Sequence, residues 1–304
     1  MERSGNRVDL DDLGVLRIRG TDAESFLQGQ LSNDVMRLAH EGALLAGLHN
    51  PQGRAIALLR LVRAGEHDIL AMLPRELTGL VAQRLNRFVL RSKVRITDES
   101  AAWCVRGHTQ ADSPGGLAFK LSGDPVRWIS LVPADTAPAS SAPSVTGAPA
   151  AASAPRNVWQ LLDIGAGLPQ IHVQTSELFV AQWLNLDLID AVSFSKGCYT
   201  GQEVIARSHY RGRVKRRMQR WRTIAPAALA PGDSAQLADG RSLRVVDAAQ
   251  LADGRCEFLA VAPLAAGADE EPATSAEKPA TAARVVLEAD QLPLPYEMIE
   301  TIVK

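Results

Sequence analysis

The chain contains the segment Lys196-Gly197-Cys198-Tyr199-Thr200-Gly201-Gln202-Glu203, which places a single thiol between two glycines. Because glycine adopts positive φ angles without steric cost, this backbone can turn tightly and direct amide N–H groups outward. Thr200 and Glu203 have the spacing of a capping box, and the apolar pair Val204-Ile205 follows. The segment therefore predicts a tight, exposed loop that places Cys198 just ahead of a helix N-terminus.

Cys198 is the best candidate for a reactive group in this segment. The partial positive charge of a helix N-terminus and the full charge of Lys196 both favour a thiolate over a thiol. Burial in a glycine-rich turn would have the opposite effect, because an apolar environment disfavours the charged form. The segment alone is consistent with a reactive cysteine and with a buried structural one.

A run of positive charge begins immediately after this segment and includes His209. Such a run can hold a polyanion, either a polyglutamate tail or an RNA backbone, against Cys198. We expect Arg207, Arg211 and Arg213 to make that contact. The alternative is a solvated strand face that joins two domains. The cations of the run are Arg207, Arg211, Arg213, Lys215, Arg216, Arg217, Arg220 and Arg222.

Composition indicates an ordinary globular protein without a global charge signal. Of the 304 residues, 46% are hydrophobic and 22% are charged, and the formal net charge is −1. This balance excludes overall basicity as a signal for nucleic acid or for an anionic membrane. The histidines lack ligand-spaced partners, so no metal site is predicted.

Cysteine usage and the N-terminus indicate the compartment. The three cysteines lie too far apart for a metal or redox pair, and their odd number argues against a disulfide framework. Residues 1–12 lack the apolar segment of a secretory signal, and no apolar run approaches the roughly 20 residues that span a bilayer. We therefore expect a cytoplasmic protein with no membrane partner.

Hydrophobic patterns in residues 1–133 alternate between strand and helix periods. Thr21 and Glu24 form a second capping box, the turn cluster Asn50–Gly53 predicts a hairpin, and Pro74 occupies an expected first helical position. Strand, helix, strands, helix, strand is the order of an α+β unit with helices on one face of a mostly antiparallel sheet. The predicted strands are Val15–Arg19, Ala43–Leu48, Ala55–Val62, Ile69–Leu73 and a run beginning at Val94.

The second half of the chain contains two compositional breaks. Residues 134–156 are rich in Ala, Pro and Ser and predict a flexible linker, and Ala265–Ala283 predicts a second mobile stretch. Between the breaks, Trp159–Ile164 and Glu177–Leu188 read as helical pieces. Short apolar runs after Val214 predict a small all-β unit, a barrel. The predicted divisions are 1–133, 134–156, 157–213 with the cysteine motif, and 214–304.

Residues Phe194–Arg207 closely resemble the signature of the YgfZ family of folate-binding proteins, which are relatives of the glycine cleavage T-protein, an aminomethyltransferase. The cysteine motif is highly specific, and the resemblance extends over most of the chain. The supporting segments are Phe26–Gln30, Asn33–Val35, Gly167–Ile171 and Leu292–Tyr296.

The resemblance implies an α+β fold, with a tripartite ring of α/β segments around a central folate channel and a C-terminal β-barrel. It implies tetrahydrofolate or another reduced folate as ligand. It also implies a role in keeping iron–sulfur enzymes active, including those that thiolate tRNA. We expect Cys198 and Lys196 to be the catalytic residues. The residues that we expect at the folate are Trp159, Asn33, Asp34, Tyr199, Gln202 and Glu203.

The departures from the family patterns concern the reaction. T-proteins carry an aspartate after a Gly-Gly-x-Ile sequence, whereas the corresponding stretch Gly53–Leu59 has alkyl side chains at Ala57 and Leu58. An alkyl group cannot accept a proton or hold a charged amine. Of two tryptophans associated with folate, one position holds Leu13, and Gly165 stands where the family usually places an acid.

Three functions remain open from the sequence. The first is a folate-dependent accessory protein that uses Cys198 in redox or sulfur chemistry supporting iron–sulfur enzymes. The second is a folate-dependent aminomethyl transferase, for which Asp34 or Glu203 would have to replace the missing acid. The third is a tRNA-binding accessory protein acting through the arginine run. Whether there is catalytic turnover is undecided.

Overall fold

The computed structural model describes residues 7–109, 112–136, 155–210, 214–264 and 285–298. Most of the linker expected at 134–156, the stretch 265–283 and both Arg211 and Arg213 lie outside the described residues. The helices are α1 (Ala23–Gln30), α2 (Leu38–Glu41), α3 (Arg75–Val89), α4 (Pro155–Gly165) and α5 (Gln202–Tyr210). The strands are β1 (Arg7–Asp9), β2 (Leu13–Arg19), β3 (Ala43–His49), β4 (Ala55–Gly65), β5 (Asp68–Pro74), β6 (Arg95–Asp98), β7 (Trp103–Thr109), β8 (Leu117–Leu121), β9 (Arg127–Pro133), β10 (Arg216–Thr223), β11 (Ser234–Leu237), β12 (Ser242–Gln250), β13 (Cys256–Pro263), β14 (Val285–Leu287) and β15 (Ala289–Leu292).

The first sheet has the strand order β3-β4-β5-β2-β6, and all its pairings are antiparallel. Side chains alternate between its faces, so Leu16 and Ile18 of β2 enter one core while Val15 enters another. Helices α1 and α3 cover the first face with Phe26 and Leu77. Both faces of this sheet are therefore buried.

A second antiparallel sheet, in the order β1-β7-β9-β8, covers the other face. Ile129 and Leu131 of β9 share a core with Val15 and Met72 of the first sheet. Strand β8, at the edge of this sheet, packs next to β3 and β4 of the first sheet.

The C-terminal sheet has the order β14-β11-β12-β13-β10-β15. Its two edge strands are separated in sequence by the single residue Glu288. Consecutive segments can lie at opposite edges of a six-stranded sheet only if the sheet curls round on itself, which gives a nearly closed barrel around Trp221 and Phe258. The predicted α+β class with a C-terminal barrel is confirmed.

Several predicted helix boundaries are wrong. Helix α1 begins after Asp22, which makes no side-chain capping bond, so Thr21 is not the cap. Pro74 precedes α3 as its N-cap rather than forming its first turn. The helical piece expected at 177–188 consists of turns and one short 3₁₀ helix, Ala181–Leu184. Glu177 has a φ of 62° and donates its N–H to the Ala55 carbonyl, so this backbone bonds to a strand instead of to itself.

Gly107 on β7 is required by close packing, whereas Gly79 on α3 is not. A Cβ at position 107 would lie 2.6 Å from the Trp159 ring, while nothing lies within 4 Å of one at position 79. Gly107→Ala should lower the free energy of unfolding by about 1–3 kcal/mol through overpacking. Gly79→Ala should raise it by up to about 1 kcal/mol, because alanine favours a helix interior. Urea unfolding tests both, and an unchanged Gly107→Ala would contradict the packing.

Candidate functional site

The segment around Cys198 is a loop that approaches the β3–β4 turn closely. Gly201 has a φ of 84°, and a Cβ there would lie 2.5 Å from the Asn50 carbonyl oxygen. Ile205 N–H donates to the Gly201 carbonyl, so Gly201 is the N-cap of α5. Thr200 therefore lies one residue outside the cap, and the capping box predicted from it is wrong.

Cys198 is exposed on this loop, as expected, just ahead of α5. The other two cysteines differ in their surroundings, because Cys104 is half-buried and Cys256 is buried. The Cys256 thiol donates to the Ala227 carbonyl, and burial raises its pKa. Of the three thiols, that of Cys198 is the most open to a reagent.

Lys196 performs a task that the sequence did not reveal. Its Nζ donates to the carbonyl oxygens of Gln28, Leu31 and Asn33 at 2.5, 2.6 and 3.0 Å. The residue is only 8% exposed, and Nζ lies 5.0 Å from the centroid of the Tyr199 ring. We call this arrangement the carbonyl cage. It holds the ammonium group at the end of α1 and thereby anchors the thiol loop to the N-terminal part of the chain.

Burial lowers the pKa of Lys196 to about 8, although the charge of Asp34 opposes the shift. At neutral pH the side chain remains an ammonium, which suits three carbonyl acceptors. The cage is therefore charge-assisted under physiological conditions.

Asn33 and Asp34 hold the backbone around the cage. The Asn33 side chain is fully buried and donates to the carbonyls of Leu45 and Asp190 at 2.8 and 2.7 Å. The Asp34 carboxylate accepts from the Gln28 side chain at 2.9 Å and from a backbone N–H at 3.2 Å. The structure thus brings Asn33, Asp34, Lys196 and Tyr199 together.

Gln202 and Glu203 open α5, on the far side of Cys198 from Lys196 in the sequence. Glu203 is exposed and forms an ion pair with Arg207 one helical turn later, with 2.7 Å between the atoms. This pairing partly neutralises the first cation of the arginine run.

Trp159, expected at the folate, lies in α4, separate from the residues of the cage. It is only 2% exposed and belongs to the core between the two N-terminal sheets. The guanidinium of Arg127 lies 4.9 Å from its ring centroid, and the backbone of Gly107 packs against it. In this arrangement the indole is a core side chain covered by protein.

A cavity of about 390 Å³ lies between strands β3 and β4 of the first sheet and strand β8 of the second. Its volume is within the range of roughly 300–1,000 Å³ that small-molecule sites occupy. Apolar and aromatic side chains form much of the wall, with a few charged groups among them. The lining includes Leu45, Leu58, Arg60, Phe119, Lys120, Trp128, Ile189, Glu41 and Asp190.

Two buried donors in this wall are unsatisfied. Arg60 is 3% exposed, and one Nη donates to Gln170 Oε1 at 3.4 Å. Within the described residues, neither Arg60 Nε nor Trp128 Nε1 has a hydrogen-bond partner. Burial lowers the pKa of Arg60, and the charge of Asp163 opposes this effect.

Four residues of the cavity wall were not predicted from the sequence: Arg60, Trp128, Phe119 and Lys120. One signal was present, since Arg60 is a single cation inside the apolar strand run Ala55–Val62. A charge in the middle of a buried strand needs a partner or a function. Trp128 gave no comparable signal, because its position at the cavity depends on how the two sheets pack.

Much of the arginine run is paired within the chain. Arg217 is 1% exposed and forms an ion pair with Asp187 at 3.0 Å. Arg220 and Arg222 both pair with Glu257 of β13, the latter at 2.9 Å. These three cations stabilise β10 and its contacts, so this part of the run is neither a free surface for a polyanion nor the fully solvated strand face of the alternative.

In the described ranges, no group of three or more His, Cys, Asp or Glu side chains is arranged to hold a metal ion. Among the helices of the same ranges, none combines the length and apolar character needed to cross a membrane.

The fold defines a class of protein. The structure resembles the crystal structure of the glycine cleavage system aminomethyltransferase T from Bartonella henselae, with a TM-score of 0.61 over 84% of this chain and 78% of that chain. The sequence identity is 12%, so this likeness shows the fold alone. The chain has a T-protein-like fold.

Sequence relatives narrow the class to a family. The chain is 31% identical over 257 residues to the tRNA-modifying protein YgfZ of Enterobacter sp. (strain 638), covering 78% of each chain. It is 32% identical over 214 residues to an uncharacterized protein of Haemophilus influenzae, covering 69% of this chain and 71% of the relative. The protein belongs to the YgfZ family.

A third relative, the tRNA-modifying protein YgfZ of Photobacterium profundum, is 29% identical over 227 residues, covering 69% of this chain and 68% of the relative. No family model matches the chain. The family assignment therefore stands on individual relatives and on the fold.

Removing the ammonium of Lys196 should loosen the thiol loop. Lys196→Met eliminates three hydrogen bonds to buried carbonyls, and we expect the free energy of unfolding to fall by roughly 2–4 kcal/mol. Urea unfolding measures the loss, and hydrogen exchange should show faster opening of residues 193–201. Lys93→Met, at an exposed lysine, is the matched control and should have little effect.

The same variant has a pH signature. Between the pKa of about 8 in the folded protein and the ordinary value of 10.5, the unfolded chain binds more protons at Lys196 than the folded chain. Stability supplied by wild-type Lys196 should therefore rise with pH across this window relative to Lys196→Met. A stability difference that falls between pH 8 and pH 10 would mean that the cage favours the ammonium more than burial disfavours it, and would contradict the lowered pKa.

Proposed function

We propose that this protein binds a reduced folate in the cavity between the two N-terminal sheets and thereby supports tRNA modification. The observation that carries the proposal is the cavity of about 390 Å³, whose wall combines Phe119 and Trp128 with the unsatisfied donors of Arg60 and Trp128. Two of the relatives are named tRNA-modifying proteins, which supports the second half of the proposal.

The chemistry of the wall suits a folate. Folate contains a planar pterin and a benzoyl ring, and aromatic side chains such as Trp128 and Phe119 offer surfaces for such rings. Its carbonyl and carboxylate oxygens are acceptors for unsatisfied donors. Leu45, Leu58 and Ile189 provide the apolar remainder of the wall.

The lining residues do not favour aminomethyl transfer. Leu58 lines the cavity at one of the positions where T-proteins carry acid, and a leucine cannot accept a proton. Among the lining residues, Glu41 and Asp190 carry carboxylates, and both pair with Arg37 at 2.7 Å. We infer an accessory role rather than a T-protein type of reaction.

Asp34 and Glu203 also give little support to a transferase. Neither is among the residues that line the cavity, and each carboxylate already has partners. Asp34 accepts hydrogen bonds from Gln28 and a backbone N–H, and Glu203 is paired with Arg207. These contacts therefore favour an accessory role over a transferase that uses Asp34 or Glu203 as its acid.

We further propose that Cys198 is the reactive group, in redox or sulfur chemistry that supports iron–sulfur enzymes. Its exposure and the anchoring of its loop by the carbonyl cage support this role. A single motif cysteine cannot by itself hold a stable cluster, which ordinarily needs several thiolates. The cluster would accordingly belong to the client enzyme and not to this chain.

Folate binding can be tested by calorimetric titration with tetrahydrofolate under anaerobic conditions. Wild-type protein should bind saturably, and Trp128→Ala should bind at least tenfold more weakly, a loss of about 1.4 kcal/mol, because an aromatic surface and a donor are removed. Phe88→Ala, an exposed aromatic position on α3, is the control and should bind as wild type does. Absence of binding by the wild type would refute the folate proposal.

The role of Cys198 can be tested in bacteria that lack their own family member. Cys198→Ser should fail to restore tRNA thiolation, although its thermal unfolding should match the wild type because the side chain is exposed. Cys104→Ser, at a half-buried thiol, should restore it. Full activity of Cys198→Ser would rule out thiol chemistry at this position.

A further inference from the structure

Arg60 is a buried cation for which the chain supplies no carboxylate partner among its described residues. Its recorded hydrogen bond goes to the neutral amide of Gln170, at 3.4 Å, and its Nε is unsatisfied. Asp163 and Asp12 act on it only through their charge, without a hydrogen bond or ion pair to it in the described residues.

Both of those carboxylates are already engaged by other arginines. Arg127 donates to Asp163 at 2.6 Å, and Arg156 forms an ion pair with Asp12. This group of charges holds two aspartates, Asp12 and Asp163, against three arginines. Because the other two arginines are paired with the aspartates, the excess positive charge resides on Arg60 at the cavity wall.

An unpaired buried charge is costly, because the protein interior replaces water poorly around an ion. A guanidinium cannot escape the cost by losing its proton. An anion that enters the cavity would offset this cost by pairing with Arg60. The edge formed by Nε and the neighbouring Nη suits the two oxygens of a carboxylate.

Other charged residues of the cavity wall determine how an anionic ligand is oriented in it. Glu41 and Asp190 line the same cavity and repel an anion, whereas exposed Lys120 lies on the same lining as Arg60 and attracts one. Trp128, with Lys120 5.7 Å from its ring centroid, adds the second unsatisfied donor. These charges therefore favour the anionic end of a ligand near Arg60 and its uncharged end near Glu41 and Asp190.

We propose that Arg60 is the receptor for a carboxylate of the bound ligand, with the Trp128 indole N–H as a second donor. The inference rests on the proposed function, and for a folate it means that the glutamate end contacts Arg60 while the pterin occupies the remainder of the cavity. Arg60 thus selects carboxylate-bearing folates over free pterins.

Two probes separate the ends of the ligand. Tetrahydrofolate carries the glutamate, and 6-methyltetrahydropterin lacks every carboxylate. By calorimetry, Arg60→Gln should weaken tetrahydrofolate binding at least tenfold and change 6-methyltetrahydropterin binding by less than twofold. Arg87→Gln, which removes an exposed arginine of α3 outside the cavity lining, is the matched control and should change tetrahydrofolate binding by less than twofold.

Equal weakening of both probes would place Arg60 at the pterin and overturn the proposal, as would unchanged binding of tetrahydrofolate. Without ligand, Arg60→Gln should unfold at the wild-type temperature or above it, since an unpaired buried charge is removed. A clearly lower unfolding temperature would show that Arg60 is structural and would also overturn the proposal.

Failure of the folate proposal itself has a different outcome. Wild-type protein would then bind neither tetrahydrofolate nor 6-methyltetrahydropterin. Titration with p-aminobenzoylglutamate, which keeps both glutamate carboxylates, tests Arg60 separately. Binding by the wild type that Arg60→Gln loses would support a carboxylate receptor for another ligand, and no binding would overturn it.

Discussion

The ammonium of Lys196 in its cage of three carbonyls is the interaction on which the arrangement of the site depends. It joins a loop near residue 200 to the end of α1, across more than 160 residues of sequence. A lysine is suited to this task, because its three donors can satisfy three acceptors that converge on one point. Burial and the Tyr199 ring shield these bonds from water.

Two glycines allow the second attachment of the same loop. Gly201 and Gly53 both have positive φ, and their backbones approach so closely that a Cβ on Gly201 would lie 3.1 Å from Gly53 Cα. The cage fixes the loop before Cys198, and this glycine contact fixes it after Cys198. The thiol is therefore exposed on a segment held at both ends, so its position follows the N-terminal sheet.

The sequence carried enough information for the fold class but not for the cavity. The apolar runs of β2 to β5 and the turn at Asn50–Gly53 are local patterns, and they predicted strands that the structure places in the first sheet. The cavity depends on how two sheets pack, which brings Arg60 together with Trp128 and Gln170 from distant parts of the chain. A local sequence pattern does not predict contacts between residues so far apart in the chain.

The arginine run shows the same limit for charges. Its density suggested a surface for a polyanion, but the acids that pair with it, Asp187 and Glu257, lie on other elements. A cation on a strand has different roles depending on whether a carboxylate faces it. The helix predicted at 177–188 is wrong for a related reason, because the backbone N–H of Glu177 bonds to β4 and does not continue a helix.

The cavity wall and the thiol loop are connected through one buried residue. Asn33 donates to the carbonyls of Leu45 and Asp190, two residues of the cavity wall, and its own carbonyl accepts from Lys196. Contacts therefore run without a break from the cavity wall through Asn33 and the carbonyl cage to the Cys198 loop. Because Asn33 is fully buried and its amide is bound on both sides, a displacement of the wall at Leu45 would strain bonds that hold the loop. A ligand in the cavity and a reaction at the thiol would then act on one rigid unit, although Trp159 and the arginine run lie outside these contacts.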